Sequence, residues 1–151
     1  MKKIQYDYKE FEDGVAYILN NIRAVGTTYD RIVGLSRGGL PLAVRLSYEL
    51  ELPLECISWS HRDFEQREFN DIPADDMRDG QKILLIDDII DSGLTINSLL
   101  EIWGDFPENN LSIACCYYNI DQDIQPDFWH KTIERSTDDS WVDFWWETKN
   151  E

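Results

Sequence analysis

The chain predicts an α/β domain built on a mostly parallel sheet of about five strands, with helices on both faces. Three observations lead there. Strand–turn–helix units recur along the sequence, and that order builds parallel sheets. The 151 residues, 42% of them hydrophobic, suffice for one sizeable core and contain no Pro/Gly/Ser linker or internal repeat, so residues 1–151 are read as a single domain. The two turns richest in Gly and hydroxyl residues both follow strand candidates, and parallel sheets bind ligands at the carboxyl ends of their strands.

Taken in order, residues 8–23 place Phe11, Val15, Ile18, Leu19 and Ile22 at helical spacing with acidic residues between them, an amphipathic helix. Residues 31–35 (Arg-Ile-Val-Gly-Leu) are a short buried strand, and Ser36, Arg37, Gly38 and Gly39 form the turn after it. Ala43, Leu46 and Leu50 continue a helical pattern over residues 40–50, with Pro41 tolerated in its first turn. Residues 54–59 are a second strand. Residues 60–81 are mostly charged and weakly periodic, and a connection that long inside a compact domain is usually a functional lid. A buried strand over 82–86 leads into Asp-Asp-Ile-Ile-Asp-Ser-Gly-Leu-Thr, followed by a helix over about 95–103 and a strand over 111–118.

Composition excludes several classes of partner. Fourteen basic residues against 30 acidic ones give a formal net charge of -16. A surface that acidic repels phosphate backbones and anionic lipid, which argues against nucleic-acid and membrane-surface binding. No apolar run reaches the roughly 18–20 residues of a membrane span. The first residues turn polar at once, unlike a signal peptide, so the expectation is a soluble cytoplasmic protein. The three cysteines, Cys56, Cys115 and Cys116, lie in apolar runs without metal-ligand spacing and read as reduced core thiols. The two histidines, His61 and His130, are expected on the surface or in the lid.

Chemistry concentrates in residues 87–95. Asp91 follows Asp87 by four residues, so Asp87, Asp88 and Asp91 can converge over one pocket if the chain turns. Ser92, Gly93, Leu94 and Thr95 bring hydroxyls and a Gly to a helix N-terminus, whose free N–H groups attract phosphate. Carboxylates beside a phosphate cradle suit ribose hydroxyls or a Mg²⁺ ion. A P-loop is excluded because no Gly-x-x-x-x-Gly-Lys-Ser/Thr occurs. A calcium loop fails at Ile89 and Ser92, and an acidic helix cap leaves the rest of the string unexplained.

Residues 83–95, Ile-Leu-Leu-Ile-Asp-Asp-Ile-Ile-Asp-Ser-Gly-Leu-Thr, resemble the phosphoribosyl-diphosphate motif of the type I phosphoribosyltransferases. Residues 32–40, Ile-Val-Gly-Leu-Ser-Arg-Gly-Gly-Leu, are similar to the pyrophosphate loop of that family. Ser-Arg-Gly-Gly-Leu, Cys56-Ile57-Ser58, Gln66-Arg67-Glu68 and Asp139-Ser140-Trp141-Val142 bring the likeness nearest to the bacterial xanthine-guanine members. The resemblance implies a flexible lid, a small C-terminal hood and transfer of a 5-phosphoribosyl group to a 6-oxopurine in nucleotide salvage. It implies that Asp87 and Asp88 hold the ribose hydroxyls, directly or through Mg²⁺, and that Asp91 takes the purine N7 proton. Ser92, Gly93, Leu94 and Thr95 would cradle the 5′-phosphate. Ser36, Arg37, Gly38 and Gly39 would bind pyrophosphate, with a non-proline cis peptide in the loop. Trp141 would stack on the base, the backbone of Val142 would meet the base edge, and Glu147 would help hold metal. A homo-dimer or homo-tetramer is usual in such a family.

One position departs from the pattern. The resemblance implies a lysine just after the strand at 111–118, donating to the exocyclic oxygen of the base. Tyr117, Tyr118 and Asn119 stand there, and the nearest downstream lysine is Lys131. Tyr118 or Asn119 is therefore the expected substitute donor. Two other activities fit the same motifs: a non-catalytic regulator that senses phosphoribosyl diphosphate, and a transferase for a pyrimidine or another acceptor.

Overall fold

A computed structural model describes residues 1–59 and 72–150. In chain order the elements are β1 (Lys3–Tyr6), α1 (Tyr8–Val25), β2 (Arg31–Ser36), α2 (Leu40–Leu50), β3 (Leu54–Ser58), α3 (Ile72–Arg78), β4 (Ile83–Ile86), β5 (Ile89–Ile90), α4 (Leu94–Trp103), β6 (Leu111–Asn119), β7 (Phe128–Ile133) and β8 (Trp141–Phe144). The main sheet runs β3-β2-β4-β6, and each of its pairings is parallel. Ala114 pairs with both Ile86 and Phe128, and Tyr117 with both Ile89 and Lys131. A strand has two edges, so β4 and β5 share one edge of β6 while β7 takes the other.

Both faces of this sheet are buried, as continuous apolar strands require. Ile32, Leu84, Ile86, Ala114 and Cys116 face one cluster with α1 and α2. Val33, Leu35, Ile83, Leu85, Ile113 and Cys115 face the other with α3 and α4. The period of two thus sends Cys115 and Cys116 to opposite faces, each fully buried. α1 starts at Asp7, whose Oδ1 accepts from the Glu10 amide at 2.8 Å, and ends at Gly26 in the left-handed region, φ 79°.

A second, two-stranded parallel sheet joins the ends of the described chain: β1 pairs β8 from Lys3↔Trp141 to Tyr6↔Phe144. Tyr6 ties this hood to the main sheet by hydrogen-bonding His130 Nδ1 on β7 at 2.8 Å. Among the described residues, no helix is long and apolar enough to cross a membrane.

The structure corrects three expectations. Residues 72–78 of the stretch read as a lid form α3, which buries Pro73, Ala74 and Met77. Arg31 holds α3 at Asp76, and Arg78 reaches the carbonyl of Asp105. Residues 60–71, with His61, lie outside the described residues. Cys56 is exposed instead of buried, because β3 ends the sheet and turns that side chain outward while Ile57 faces in. His130 is half-buried beneath Tyr6 and Tyr17 instead of on the surface.

Candidate active site

Register brings the two suspect turns together. β2 and β4 are neighbours, with Gly34 opposite Ile86, so the chain leaves both strands at the same edge of the sheet. The first turn carries a cis peptide between Ser36 and Arg37, as the resemblance implied. Its glycines let the turns touch. A Cβ on Gly39 would stand 2.5 Å from the Ile86 carbonyl and 2.8 Å from that of Leu35. A Cβ on Gly38 would stand 2.2 Å from Asp88 Oδ2. Gly at both positions is therefore a requirement of close approach.

The second turn stays bonded to β6. The Asp87 amide donates to the Ala114 carbonyl, and the Asp88 carbonyl accepts from both Cys116 (2.9 Å) and Tyr117 (3.2 Å). The register is unbroken across it, from Ile86↔Ala114 to Ile89↔Tyr117, so both aspartates lie between two paired stretches of one β6 edge. Asp87 Oδ1 accepts from the Asp88 amide and Asp88 Oδ1 from the Ile89 amide, which fixes both rotamers. Asp88 is 4% exposed. α4 starts after Gly93, φ 83°, which has no side chain to cap it, and Gly93 and Thr95 put the start of the helix on the wall that the carboxylates share. Ser92 Oγ accepts from the Leu94 amide at 3.3 Å.

Between these turns lies a cavity of about 750 Å³. Its walls include Ser36, Arg37 and Gly38 from the first turn, Asp87, Asp88, Asp91, Ser92, Gly93 and Thr95 from the second, and Trp141, Val142 and Glu147 from the hood. Four residues expected in the site are not on those walls. Gly39 lies beneath the loop contact, and Leu94 points to solvent, 48% exposed. The Tyr118 ring packs on Trp129 at 5.5 Å. The Asn119 amide donates to the Asp91 carbonyl at 2.8 Å, and its Oδ1 accepts from the amides of Asp121 and Arg135, so it braces the loop.

Sequence reasoning missed two wall residues whose hydrogen bonds brace the site. Trp59, at the end of β3, donates its indole N–H to the Thr95 carbonyl (3.2 Å) and to Ser98 Oγ (3.0 Å), fastening α4. Arg135, two residues past β7, forks onto Asp91: Nε to Oδ1 and Nη2 to Oδ2, both at 2.9 Å. Its Nη1 donates to the Ser140 carbonyl beside Trp141 and, at 3.4 Å, to that of Asp138. The hydrogen bonds it donates to Asp91 hold the Arg135 guanidinium above its ordinary pKa, against partial burial. No local spacing signals either residue, since Arg135 lies 44 positions from Asp91.

Trp145 meets Tyr8 and Phe11 yet stays 38% exposed, and Trp146 stacks on Phe144 at 4.7 Å where both line the cavity. Trp141 is 40% exposed on the cavity wall. Burial pushes the Cys115 and Cys116 thiols up, away from the thiolate that nucleophilic chemistry needs.

Among the described residues no three acidic, His or Cys side chains cluster closely enough to cage a metal alone. The donor set still suits Mg²⁺, which takes hard oxygens and commonly one or two carboxylates with the rest from substrate and water. Asp87 and Asp88 each have one oxygen held by a backbone amide, and both line the cavity, as does Glu147 from the hood.

Comparison with known proteins agrees with this architecture. Residues 5–150 match the family described as "Phosphoribosyl transferase domain". An adenine phosphoribosyltransferase of Geobacter metallireducens is 27% identical over 122 residues, covering 74% of this chain and 69% of that protein. An orotate phosphoribosyltransferase of Sulfurisphaera tokodaii is 26% identical, covering 68% of this chain and 49% of that one. The purine phosphoribosyltransferase of Pyrococcus horikoshii superimposes with a TM-score of 0.75 at 23% identity, over 100% of this chain and 98% of that one. The Helicobacter pylori xanthine-guanine-hypoxanthine phosphoribosyltransferase gives 0.73 at 22%, over 96% and 92%. With its two turns joined at one sheet edge and almost its whole length matched, the chain belongs to the phosphoribosyl transferase domain family.

Proposed function

We propose that the chain transfers the 5-phosphoribosyl group of phosphoribosyl diphosphate to a purine base, a 6-oxopurine in preference, and releases pyrophosphate. The observation that carries this reading is the contact of the two turns through Gly38 and Asp88, which puts two anion-binding loops on either side of one carboxylate pair. A substrate with a phosphate at one end, a diphosphate at the other and a diol between fits that order.

In the reaction the C1′–oxygen bond to pyrophosphate breaks as C1′ bonds to a ring nitrogen of the base. Positive charge grows on the ribose ring and negative charge on the leaving group. Arg37 offers charge to the diphosphate, and the backbone N–H groups starting α4 offer dipoles to the 5′-phosphate. Asp87 and Asp88 would hold Mg²⁺, which would supply positive charge to the departing pyrophosphate. Asp87 and Asp88 accept from the ribose hydroxyls. Asp91 accepts the proton that the base loses; Arg135 occupies two of the roughly four lone-pair directions of its carboxylate, which leaves room for one more donor. Trp141 offers a π face for the base.

The test is release of pyrophosphate from phosphoribosyl diphosphate and Mg²⁺ with guanine, xanthine, hypoxanthine, adenine, uracil and orotate in turn. Turnover with an oxopurine is the expected result. Turnover with orotate or uracil alone would move the acceptor to the pyrimidines. Binding of the diphosphate with no turnover at all would favour the sensing regulator.

A further inference from the structure

Resting on that reading, we propose that Arg135 determines the choice of base: it donates to the oxo group of the base while its fork presents Asp91 to the neighbouring ring N–H. A guanidinium has five N–H bonds. In Arg135, Nε and one hydrogen of Nη2 go to Asp91, and Nη1 serves the carbonyls of Ser140 and Asp138. One Nη2 hydrogen remains, on a side chain that is 23% exposed and forms part of the cavity wall.

Position supports the count. Asp91 opens the phosphate-binding turn, and Ser140 precedes Trp141. The guanidinium therefore spans the floor between the proton-accepting carboxylate and the exposed indole, where a planar base has both a face to stack on and an edge to be read. Three other candidate donors are committed elsewhere. Lys131 pairs with Glu10 at 3.2 Å, Asn119 braces the loop, and Tyr118 is packed against Trp129.

The pair thus offers one donor beside one acceptor. A 6-oxopurine in its N7–H form presents the complement, an acceptor oxygen beside a ring N–H. Adenine presents an amino group where the oxygen would be, so two donors would face each other in a partly desolvated site. A site of this kind discriminates by leaving the wrong ligand's polar group without a partner.

The experiment measures kcat/KM for hypoxanthine and for adenine, and KM for phosphoribosyl diphosphate, in the unaltered chain, Arg135→Met and Arg135→Lys. The unaltered chain is expected to prefer hypoxanthine. Arg135→Met should lower the hypoxanthine-to-adenine ratio by roughly 10- to 100-fold, the loss of one charge-assisted hydrogen bond, and leave the KM for the diphosphate within about twofold. Arg135→Lys, which keeps a donor but loses the fork, should recover part of the ratio while kcat stays low. Equal losses for both bases, or a preference for adenine in the unaltered chain, would overturn the assignment of Arg135 while leaving the transferase standing. Should Arg135→Met fail to fold by circular dichroism, Arg135→Lys decides alone: an unchanged ratio and kcat overturns the assignment. No turnover by the unaltered chain with any base would overturn the transferase reading itself, and this inference with it.

Discussion

In the proposed reaction Asp91 would both hold Arg135 and take a proton, and its carboxylate has acceptor sites enough for the two. Asp91→Asn keeps the size of the side chain but loses the acceptor charge. Its turnover should fall by roughly 10²–10⁴, while affinity for the diphosphate, set by residues 36–39 and 92–95, is expected to change little. Steady-state kinetics with calorimetry on the same samples checks both halves. Arg37→Ala should do the reverse, weakening diphosphate binding at least as much as it slows turnover. Both residues were legible in the sequence because each sits inside a short motif at fixed spacing. Arg135 was not, since its partner is remote in the chain and only the return of β7 and β8 over the cavity brings the two together. Nor did the sequence reveal that Asn119 braces the Asp91 backbone: an amide at a strand end reads equally as ligand donor or loop support.

The two turns depend on packing that has no tolerance for a methyl group. Gly39→Ala places a Cβ against two backbone carbonyls that belong to β2 and β4, strands that cannot give way. A loss of about 1–3 kcal/mol in a denaturant titration is expected, with loss of diphosphate binding beyond what stability explains. α1, α2, β2, β4, α4 and β6 were legible from periodicity within a residue or two, because each buries a regular apolar face. The hood was not. β1 and β8 are four residues each, and neither holds together without the other, 138 positions away along the chain; only tertiary pairing makes them strands. α3 was lost among charges, for the same reason: Asp75, Asp76 and Arg78 face outward and toward Arg31, and three small or apolar residues do all its packing. His130 joins hood to sheet, and burial lowers its pKa below the ordinary value of 6.5. The unfolded chain then binds a proton that the folded chain resists, so stability should fall as pH drops through about 6.5 and below. His130→Gln, which can still accept from Tyr6, should flatten that part of the profile in thermal melts from pH 5 to 8.

The molecule as a whole carries a formal charge of -16, and its proposed substrate is a polyanion. Local cations, Arg37, Arg135 and Lys149, stand at the cavity, but the far field opposes approach. Raising salt from about 10 mM to 150 mM shortens the Debye length from roughly 30 Å to 8 Å. The KM for the diphosphate should therefore fall as salt rises over this range, at constant free Mg²⁺; a KM that climbs steadily would mean that local cations dominate at every distance.

Residues 36–39 and 87–95 are proposed to form one site for a phosphorylated sugar diphosphate. Calorimetric titration of the unaltered chain with phosphoribosyl diphosphate, with and without Mg²⁺, decides whether they do. One site per chain is expected, tighter with Mg²⁺ and lost in Arg37→Ala. Absence of binding under both conditions, or binding that Arg37→Ala leaves unchanged, would rule the site out.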